Sequence, residues 1–360
     1  DITYKRPLLT EASFTMSFLG LEAHAEGTTI HHRLSYLVGA RYKNNKYILG
    51  NMETKGVYQP NFTDVQGLLS YNVSPRLELS AFGYYSRNSY SMIPTTRETD
   101  FGNIQQSHRI TIYFDGKETS NYNTGLGAFT LNYSPNDDLN LKFIASAYSA
   151  VESENYDIMG QYWIGLLETN PGSEQTGNVI SNQGVGTYIE HARNDFYSRV
   201  FNIDHKGAYK NDQFTLKWGA RYQHQYFDDF INEWEMIDSA GYSLPHPHDS
   251  IGSANPPHPL FNIQHLSKGH NELRINNIDG YVHNEWTFNT KNADVLTLSL
   301  GLRANYWGYN NDVNVSPRAG LAYKPSWNSD MLFRLSGGVY VQPPFYRELR
   351  MFDGSLVSPE

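Results

Sequence analysis

Strict alternation of apolar and polar side chains over residues 296–306 constrains this chain more than any other feature of its sequence. One face would carry Leu296, Leu298, Leu300, Leu302, Ala304 and Tyr306. The other would carry Thr297, Ser299, Gly301, Arg303 and Asn305. Such alternation predicts a β-strand with one apolar and one polar face. A globular strand has about 5–6 residues, whereas a tilted strand that crosses a bilayer needs roughly 9–11. This strand is long enough to cross, so its apolar face meets either a protein core or lipid.

The same alternation recurs along the chain and predicts about twelve strands. The clearest further examples are residues 33–42, 65–73, 139–151 and 214–226. A first strand is predicted over residues 12–22, followed by a break at residues 26–28. Short turns alternate with long extracellular loops, which are predicted at about residues 43–64, 87–123, 152–192, 228–276 and 342–360. Tight turns at one end and long loops at the other are typical of an antiparallel up-and-down transmembrane β-barrel, not of a soluble sandwich.

Tyrosines mark both ends of the predicted strands. Tyr71, Tyr133 and Tyr323 each lie on the apolar face just before a turn that contains proline. The opposite strand ends carry Tyr42, Tyr85, Tyr226 and Tyr306. Because tyrosine has an apolar body and a polar tip, it suits the two interfaces of a bilayer. Aromatic pairs across a soluble sheet would give a similar pattern. The whole set of patterns favours the membrane interpretation.

The composition excludes several classes of protein. A net charge of −9 argues against a general nucleic-acid binder, which would normally be basic. The absence of cysteine excludes disulfides and thiolate metal sites. No apolar run of about 18 residues is present, so no transmembrane helix is predicted. Neither terminus completes a structural element, and the chain is expected to be a piece of a longer protein, cut at both ends.

Four segments carry a resemblance to a known family. They are LSYLVGARY at residues 34–42, DVQG at residues 64–67, VSPRAGLAYKP at residues 315–325 and YVQPPFYREL at residues 340–349. With these segments the chain resembles the barrel portion of TonB-dependent outer-membrane receptors of the Bacteroidetes type, which carry an N-terminal carboxypeptidase-regulatory-like domain. The resemblance implies a 22-stranded barrel with a plug in its lumen. This chain would then be a single partial barrel domain over residues 1–360, without the plug.

The resemblance also implies a function and partners. A receptor of this family takes up a nutrient ligand, such as a siderophore, cobalamin, oligosaccharide or peptide, across the bacterial outer membrane. Its expected partners are outer-membrane lipid, the TonB complex acting through the plug, and a surface lipoprotein lid. No enzymatic activity and no cofactor are predicted. Two alternatives stay open: a porin-like or assembly-related barrel without TonB coupling, and a secreted all-β carbohydrate-binding protein.

Candidate ligand-binding residues come from the wall and from the outer loops. The predicted inward faces carry charges that would line a hydrated wall or, alternatively, attract an anionic ligand. These charged residues are Arg33, Arg41, Glu78, Lys142, Lys217, Arg221, Asp279, Glu285, Arg303, Arg318 and Arg334. From this wall we select Arg303, Arg318 and Arg334 as candidates. From the loops we select Trp163, Trp234, Phe345 and Tyr346, because aromatic side chains stack on the rings of ligands.

The sequence predicts neither a metal site nor a catalytic site. One segment, which also contains several prolines, carries His246, His248, Asp249, His258, His265 and His270, and we call it the histidine-rich segment. Their spacing matches no compact metal-ligand motif, and the prolines predict an extended loop. His283 and Glu285 share one inner face and come nearest to a catalytic pair, but no nucleophile accompanies them.

Overall fold

The computed structural model describes residues 7, 9–29, 31–49, 56–239, 263–290, 294–327 and 329–358. These residues form an all-β protein with one antiparallel sheet of 15 strands. The strands are β1 (Glu11–Ser17), β2 (Gly20–Thr29), β3 (Leu34–Asn44), β4 (Gly56–Tyr58), β5 (Asn61–Ser74), β6 (Leu77–Pro94), β7 (Arg97–Gly102), β8 (Ser107–Tyr133), β9 (Leu139–Leu167), β10 (Val179–Lys210), β11 (Phe214–Ser239), β12 (Ile263–Asn289), β13 (Val295–Trp307), β14 (Asp312–Lys324) and β15 (Phe333–Gly338). One helical turn, α1 (Lys46–Leu49), and one 3₁₀ turn, η1 (Tyr346–Leu349), complete the described structure.

Strands that follow one another in the chain also lie side by side in the sheet. The order runs from β1 to β15, with the short strands β4 and β7 pairing off this path with β6 and β8. Within the described ranges, β1 and β15 each pair with a single neighbour, so the sheet is open at both edges. In the same ranges no helix has the length and apolar character needed to span a bilayer.

Cross-strand register gathers apolar side chains on one face of the sheet, which we call the apolar face. Ile278 lies opposite Tyr222, and Tyr222 lies opposite Ile203. Ile278 and Ile203 are 53% and 50% exposed, and Leu300 and Leu302 are 44% and 47% exposed on the same face. Other exposed members are Val65, Leu69, Phe129, Phe143, Val282, Val315 and Leu321. Residues with these side chains usually pack in a core, so this face is an extended surface that the described chain leaves uncovered.

The predicted tyrosines border this face at both ends. Tyr71 and Tyr133 are exposed next to the turns that follow β5 and β8. Tyr42 and Tyr85 are exposed near the far ends of β3 and β6. We call the region between the two sets of tyrosines the apolar band. The side chains that point away from it form the polar face.

The first predicted strand is wrong in one respect. Residues 12–22 do not form one strand, because a tight turn at Phe18 and Leu19 separates β1 from β2. The break predicted at residues 26–28 lies inside β2, where Gly27 pairs with Tyr36. Apolar residues continue through the turn, so the alternation does not reveal it.

Strands also extend far into segments that were predicted as loops. β9 continues to Leu167 and β10 begins at Val179, which leaves a connection of residues 168–178 between them. In the same way, β6 and β8 enter the predicted loop at residues 87–123, and β11 and β12 enter the loop at residues 228–276. The pairing satisfies the backbone donors and acceptors of these segments. Because both faces of a projecting hairpin meet water, its side chains need not alternate in polarity.

Two further loop predictions can be compared with the structure in part. The predicted loop at residues 43–64 contains α1, β4 and the first residues of β5. In the predicted loop at residues 342–360, the described residues 342–358 form no strand but fold back onto the polar face. Part of the histidine-rich segment, namely His246, His248, Asp249 and His258, lies outside the described residues.

Candidate functional site

A hydrogen-bonded network of amides crosses the polar face. The Asn202 amide donates to Ser146 Oγ at 3.3 Å and accepts from the Gln223 amide at 2.8 Å. Gln223 also accepts from the amides of Gln225 and Asn277 at 2.6 and 3.3 Å. These residues lie on four adjacent strands, β9 to β12. The network fixes the side chains of these four strands relative to one another.

Ion pairs continue the polar face on the turn side of this network. Arg221 Nε donates to Asp204 at 2.6 Å, and Arg303 donates to Asp279 at 2.7 Å. The two pairs line a small cavity of about 170 Å³. Arg41 makes the same kind of contact with Asp64 at 2.7 Å on β3 and β5. Arg41, Arg221 and Arg303 are therefore each paired with an aspartate. This agrees with a hydrated, ion-paired wall better than with a basic patch that attracts an anionic ligand.

The chain after β15 folds back and covers part of the polar face. We call residues 345–357 the folded-over segment. Its Leu349 is 5% exposed and packs in a small core with Ile275 and Trp307. Because Trp307 directly follows Tyr306, this contact lies beyond the outer edge of the apolar band. The segment thus covers the polar face at the end of the sheet away from the short turns.

Tyr346 and Asp229 anchor the folded-over segment. Tyr346 is 6% exposed, and its ring lies 4.8 Å from Phe227 and 5.4 Å from Phe196. Its hydroxyl donates to Asp229 Oδ2 at 2.9 Å, and Arg350 Nη1 lies 3.3 Å from the same oxygen. Burial raises the pKa of Tyr346, and the adjacent Asp229 carboxylate raises it further. Asp229 is only 2% exposed, so these two partners supply the hydrogen bonds that water gives to an exposed carboxylate.

Close backbone contact holds the far end of the segment. Gly354 adopts φ +86°, a conformation that favours glycine, and its carbonyl accepts from the Asn271 amide at 2.7 Å. A Cβ on Gly269 would lie 2.5 Å from that carbonyl oxygen, so only glycine fits there. Arg347 also pairs with Glu152. The segment is therefore attached to β9, β11 and β12 through side chains and backbone alike.

Acidic residues and tyrosines surround the polar face beyond the folded-over segment. Burial, followed by the nearby Glu233 and Glu154 carboxylates, raises the pKa of Tyr156 to about 12. Burial, followed by Glu235, raises the pKa of Glu190. This part of the face is therefore both partly buried and negatively charged, and it would attract cationic rather than anionic groups.

The structure does not bring the seven predicted binding residues into one site. Tyr346 is buried in the folded-over segment, whereas its neighbour Phe345 is 66% exposed. Arg303 pairs with Asp279, and the Arg318 guanidinium lies 4.5 Å from the Tyr340 ring centroid. Arg334 is exposed on β15, which is an edge strand.

The two predicted tryptophans lie away from the polar face. Trp234 stacks on His191 with ring centroids 4.7 Å apart, in the hairpin of β10 and β11. His191 contacts Asp157, which also binds Arg193. Trp163 lies opposite Thr111 and Gly184, near the ends of β8 to β10. On β9 and β11 the alternation places both tryptophans on the side opposite Tyr156 and Asp229.

Sequence reasoning missed Asp229 and its aromatic neighbours. Both Asp228 and Asp229 fall in the predicted loop at residues 228–276. The sequence nevertheless contains a pattern that predicts the position of Asp229. Every second residue of β11 lies on the same face, and Phe227, Asp229 and Ile231 continue the series begun by Gln223 and Gln225. A strand extended to residue 231 would have placed Asp229 on the polar face.

Asp228 points to the opposite face and belongs to a second cluster. Its carboxylate lies 2.8 Å from His270 Nε2, and one ligand atom each of Asp228, His270 and Glu272 lies within 4.8 Å of the other two. Of the two described histidines of the histidine-rich segment, His265 and His270, only His270 contributes to this cluster.

Comparisons with known proteins returned no match: no family model, no curated protein and no solved structure is significantly similar to this chain.

Proposed function

We propose that this chain forms part of the wall of a β-barrel in the bacterial outer membrane and that the barrel imports a nutrient in a TonB-dependent manner. The observation that carries the proposal is the apolar band. From Leu296 to Tyr306 there are ten residue steps of about 3.3 Å each, and at a tilt of roughly 40° they span about 25 Å. That height equals the apolar girdle of an outer-membrane barrel.

On β10 to β12, polar residues interrupt the apolar band at His205, His224, Asn276 and Asn284. His205 lies on the apolar face, where its Nε2 accepts a hydrogen bond from Trp218 Nε1 at 3.2 Å and its ring lies 4.5 Å from Phe143. Aromatic neighbours thus shield its polar atoms in part. Asn284 lies on the same face, opposite Leu300. Neither residue carries a fixed charge, which would cost about 2–4 kcal/mol near the middle of a bilayer.

The two faces of the sheet would have different roles in a transporter. The apolar face would contact lipid, and the polar face, with its amide network and ion pairs, would line a hydrated lumen. The folded-over segment lies over the outer part of that lumen and narrows the path of a ligand. Coupling to TonB rests on the resemblance of residues 34–42, 64–67, 315–325 and 340–349 to receptors of that family. The proposal includes four classes of ligand: siderophore, cobalamin, oligosaccharide and peptide.

Growth on defined nutrients tests the transport proposal. A strain that lacks this protein is expected to lose growth on at least one nutrient from a panel of ferric siderophores, cobalamin, oligosaccharides and peptides. A strain without TonB should lose the same growth, and removal of both should be no worse. Growth that survives the loss of TonB but not of this protein would indicate a passive channel instead. If the native protein stays in solution without detergent, the secreted carbohydrate-binding alternative replaces the barrel.

A further inference from the structure

Two arginines flank a tyrosine in one cross-strand row of the apolar face. Arg199 on β10 lies opposite Tyr226 on β11, and Tyr226 lies opposite Arg274 on β12. The Arg199 guanidinium lies 4.6 Å from the Tyr197 ring centroid, and that of Arg274 lies 5.5 Å from the Tyr226 ring centroid. Contact with the ring faces orients the two guanidinium groups but leaves their N–H donors available.

These two arginines differ from most of the others in lacking an acidic partner. Arg221, Arg303 and Arg350 each pair with an aspartate on the polar face. Within the described part of the chain, Arg199 and Arg274 form no ion pair with a carboxylate, and both are exposed. An exposed arginine without a partner is common on a wet surface. It is unusual beside an apolar band, where a nearby charge favours an anion that accompanies it.

The row lies at the outer edge of the apolar band. Two residues nearer the turns along β10, Phe201 is 42% exposed, and a further two residues along, Ile203 is 50% exposed. Tyr226 belongs to the outer set of tyrosines. If the band spans the bilayer, as proposed above, Arg199 and Arg274 lie at the depth of the lipid headgroups of the outer leaflet.

We propose that Arg199 and Arg274 bind the phosphate headgroup of an outer-leaflet lipid. Both line a cavity of about 970 Å³, together with Tyr197, Tyr226 and Phe201. Guanidinium groups bind phosphate oxygens through paired, charge-assisted hydrogen bonds. The lipid chains would then lie along Phe201 and Ile203. The inference depends on the proposed membrane location, but it does not depend on transport or on TonB.

Acidic residues limit the site on its outer side. Asp228 also lines the cavity, but its carboxylate is bound to His270 at 2.8 Å. Glu272 is exposed opposite Asp228, two residues beyond Arg274 along β12. These carboxylates repel a phosphate that lies further from the band. They therefore favour binding at the level of the arginines rather than above them.

Thermal unfolding in zwitterionic detergent micelles tests this site. Addition of phosphatidylglycerol is expected to raise the unfolding temperature of the native protein, because a ligand that binds only the folded state stabilises it. In the double variant Arg199→Ala/Arg274→Ala, half-saturation should need about a hundredfold more lipid, since the loss of each charge-assisted contact of about 1.5 kcal/mol weakens binding about tenfold. The control Arg109→Ala/Arg193→Ala removes the same charge from arginines that pair with Asp100 and Asp157. It should respond as the native protein does.

Three outcomes would overturn the proposal. The first is an equal response of the double variant and the native protein to phosphatidylglycerol. The second is an equal response of the native protein to phosphatidylcholine, which would show that the headgroup charge is not recognised. The third is the same shift with inorganic phosphate, which would assign the site to a free anion. Each can occur in a protein that still requires detergent, so this inference can fail while the proposed membrane location stands.

Discussion

Replacing Leu300 with arginine is expected to abolish assembly of the protein in the outer membrane. Leu300 lies near the middle of the apolar band and is 44% exposed on the apolar face. An arginine at the midplane of a bilayer costs about 2–4 kcal/mol, which is a large part of the 5–15 kcal/mol that stabilises most folded proteins. The measurement is the amount of folded protein in outer-membrane fractions, read as the species that migrates faster in unheated than in heated SDS samples.

Ser299→Arg is the matched control for this substitution. Ser299 is the next residue, but its side chain lies on the polar face, where its hydroxyl donates to the Gly320 carbonyl at 3.3 Å. It lies opposite Glu285, which can pair with a new arginine. Ser299→Arg should therefore assemble at nearly the native level. If the two variants assembled equally well, the assignment of the apolar face to lipid would be wrong.

Replacing Asp229 with alanine is expected to release the folded-over segment while the sheet stays intact. The substitution removes the acceptor of Tyr346 and the partner of Arg350 together. Loss of a buried acceptor that satisfies two groups costs about 2 kcal/mol or more. The equilibrium between the attached and the released form of the segment should shift by that free energy toward release. Amide hydrogen exchange in residues 345–357 should therefore become roughly thirtyfold faster.

Asp228→Ala is the control for the anchor. It removes the neighbouring carboxylate, which points to the opposite face and contacts His270 rather than the folded-over segment. Exchange in residues 345–357 should remain at the native rate in this variant. Equal acceleration in both variants would mean that Asp229 acts through the general stability of β11 and not through Tyr346.

The faces of the strands could be predicted from the sequence, because alternation records directly which side chains avoid water. Residues 296–306 show this best: Leu300 and Leu302 lie on the apolar face, and Arg303 lies on the polar face, as the pattern predicts. The all-β class and the antiparallel arrangement follow from the same periodicity combined with short turns. Strand ends could not be predicted, since the hairpins of β8 to β12 continue where alternation stops.

The folded-over segment could not be predicted from local patterns. Its anchor joins Tyr346 to Asp229, which are 117 residues apart, and no periodicity links such distant positions. The sequence predicts Tyr346 as a ligand-binding aromatic, but the structure buries it against Phe196 and Phe227. Aromatic residues in a predicted loop can contact a ligand or pack within the protein, and only three-dimensional contacts separate these roles.

Site-directed spin labelling of residues 296–306 tests the central claim most directly. The chain contains no cysteine, so each position can be labelled singly without removing a native thiol. In lipid vesicles, labels at even-numbered positions should be accessible to oxygen, which concentrates in the bilayer. Labels at odd-numbered positions should be less accessible to oxygen and more accessible to a polar nickel reagent. A period of two with this phase supports the account; equal accessibility along the strand, or the opposite phase, would contradict it.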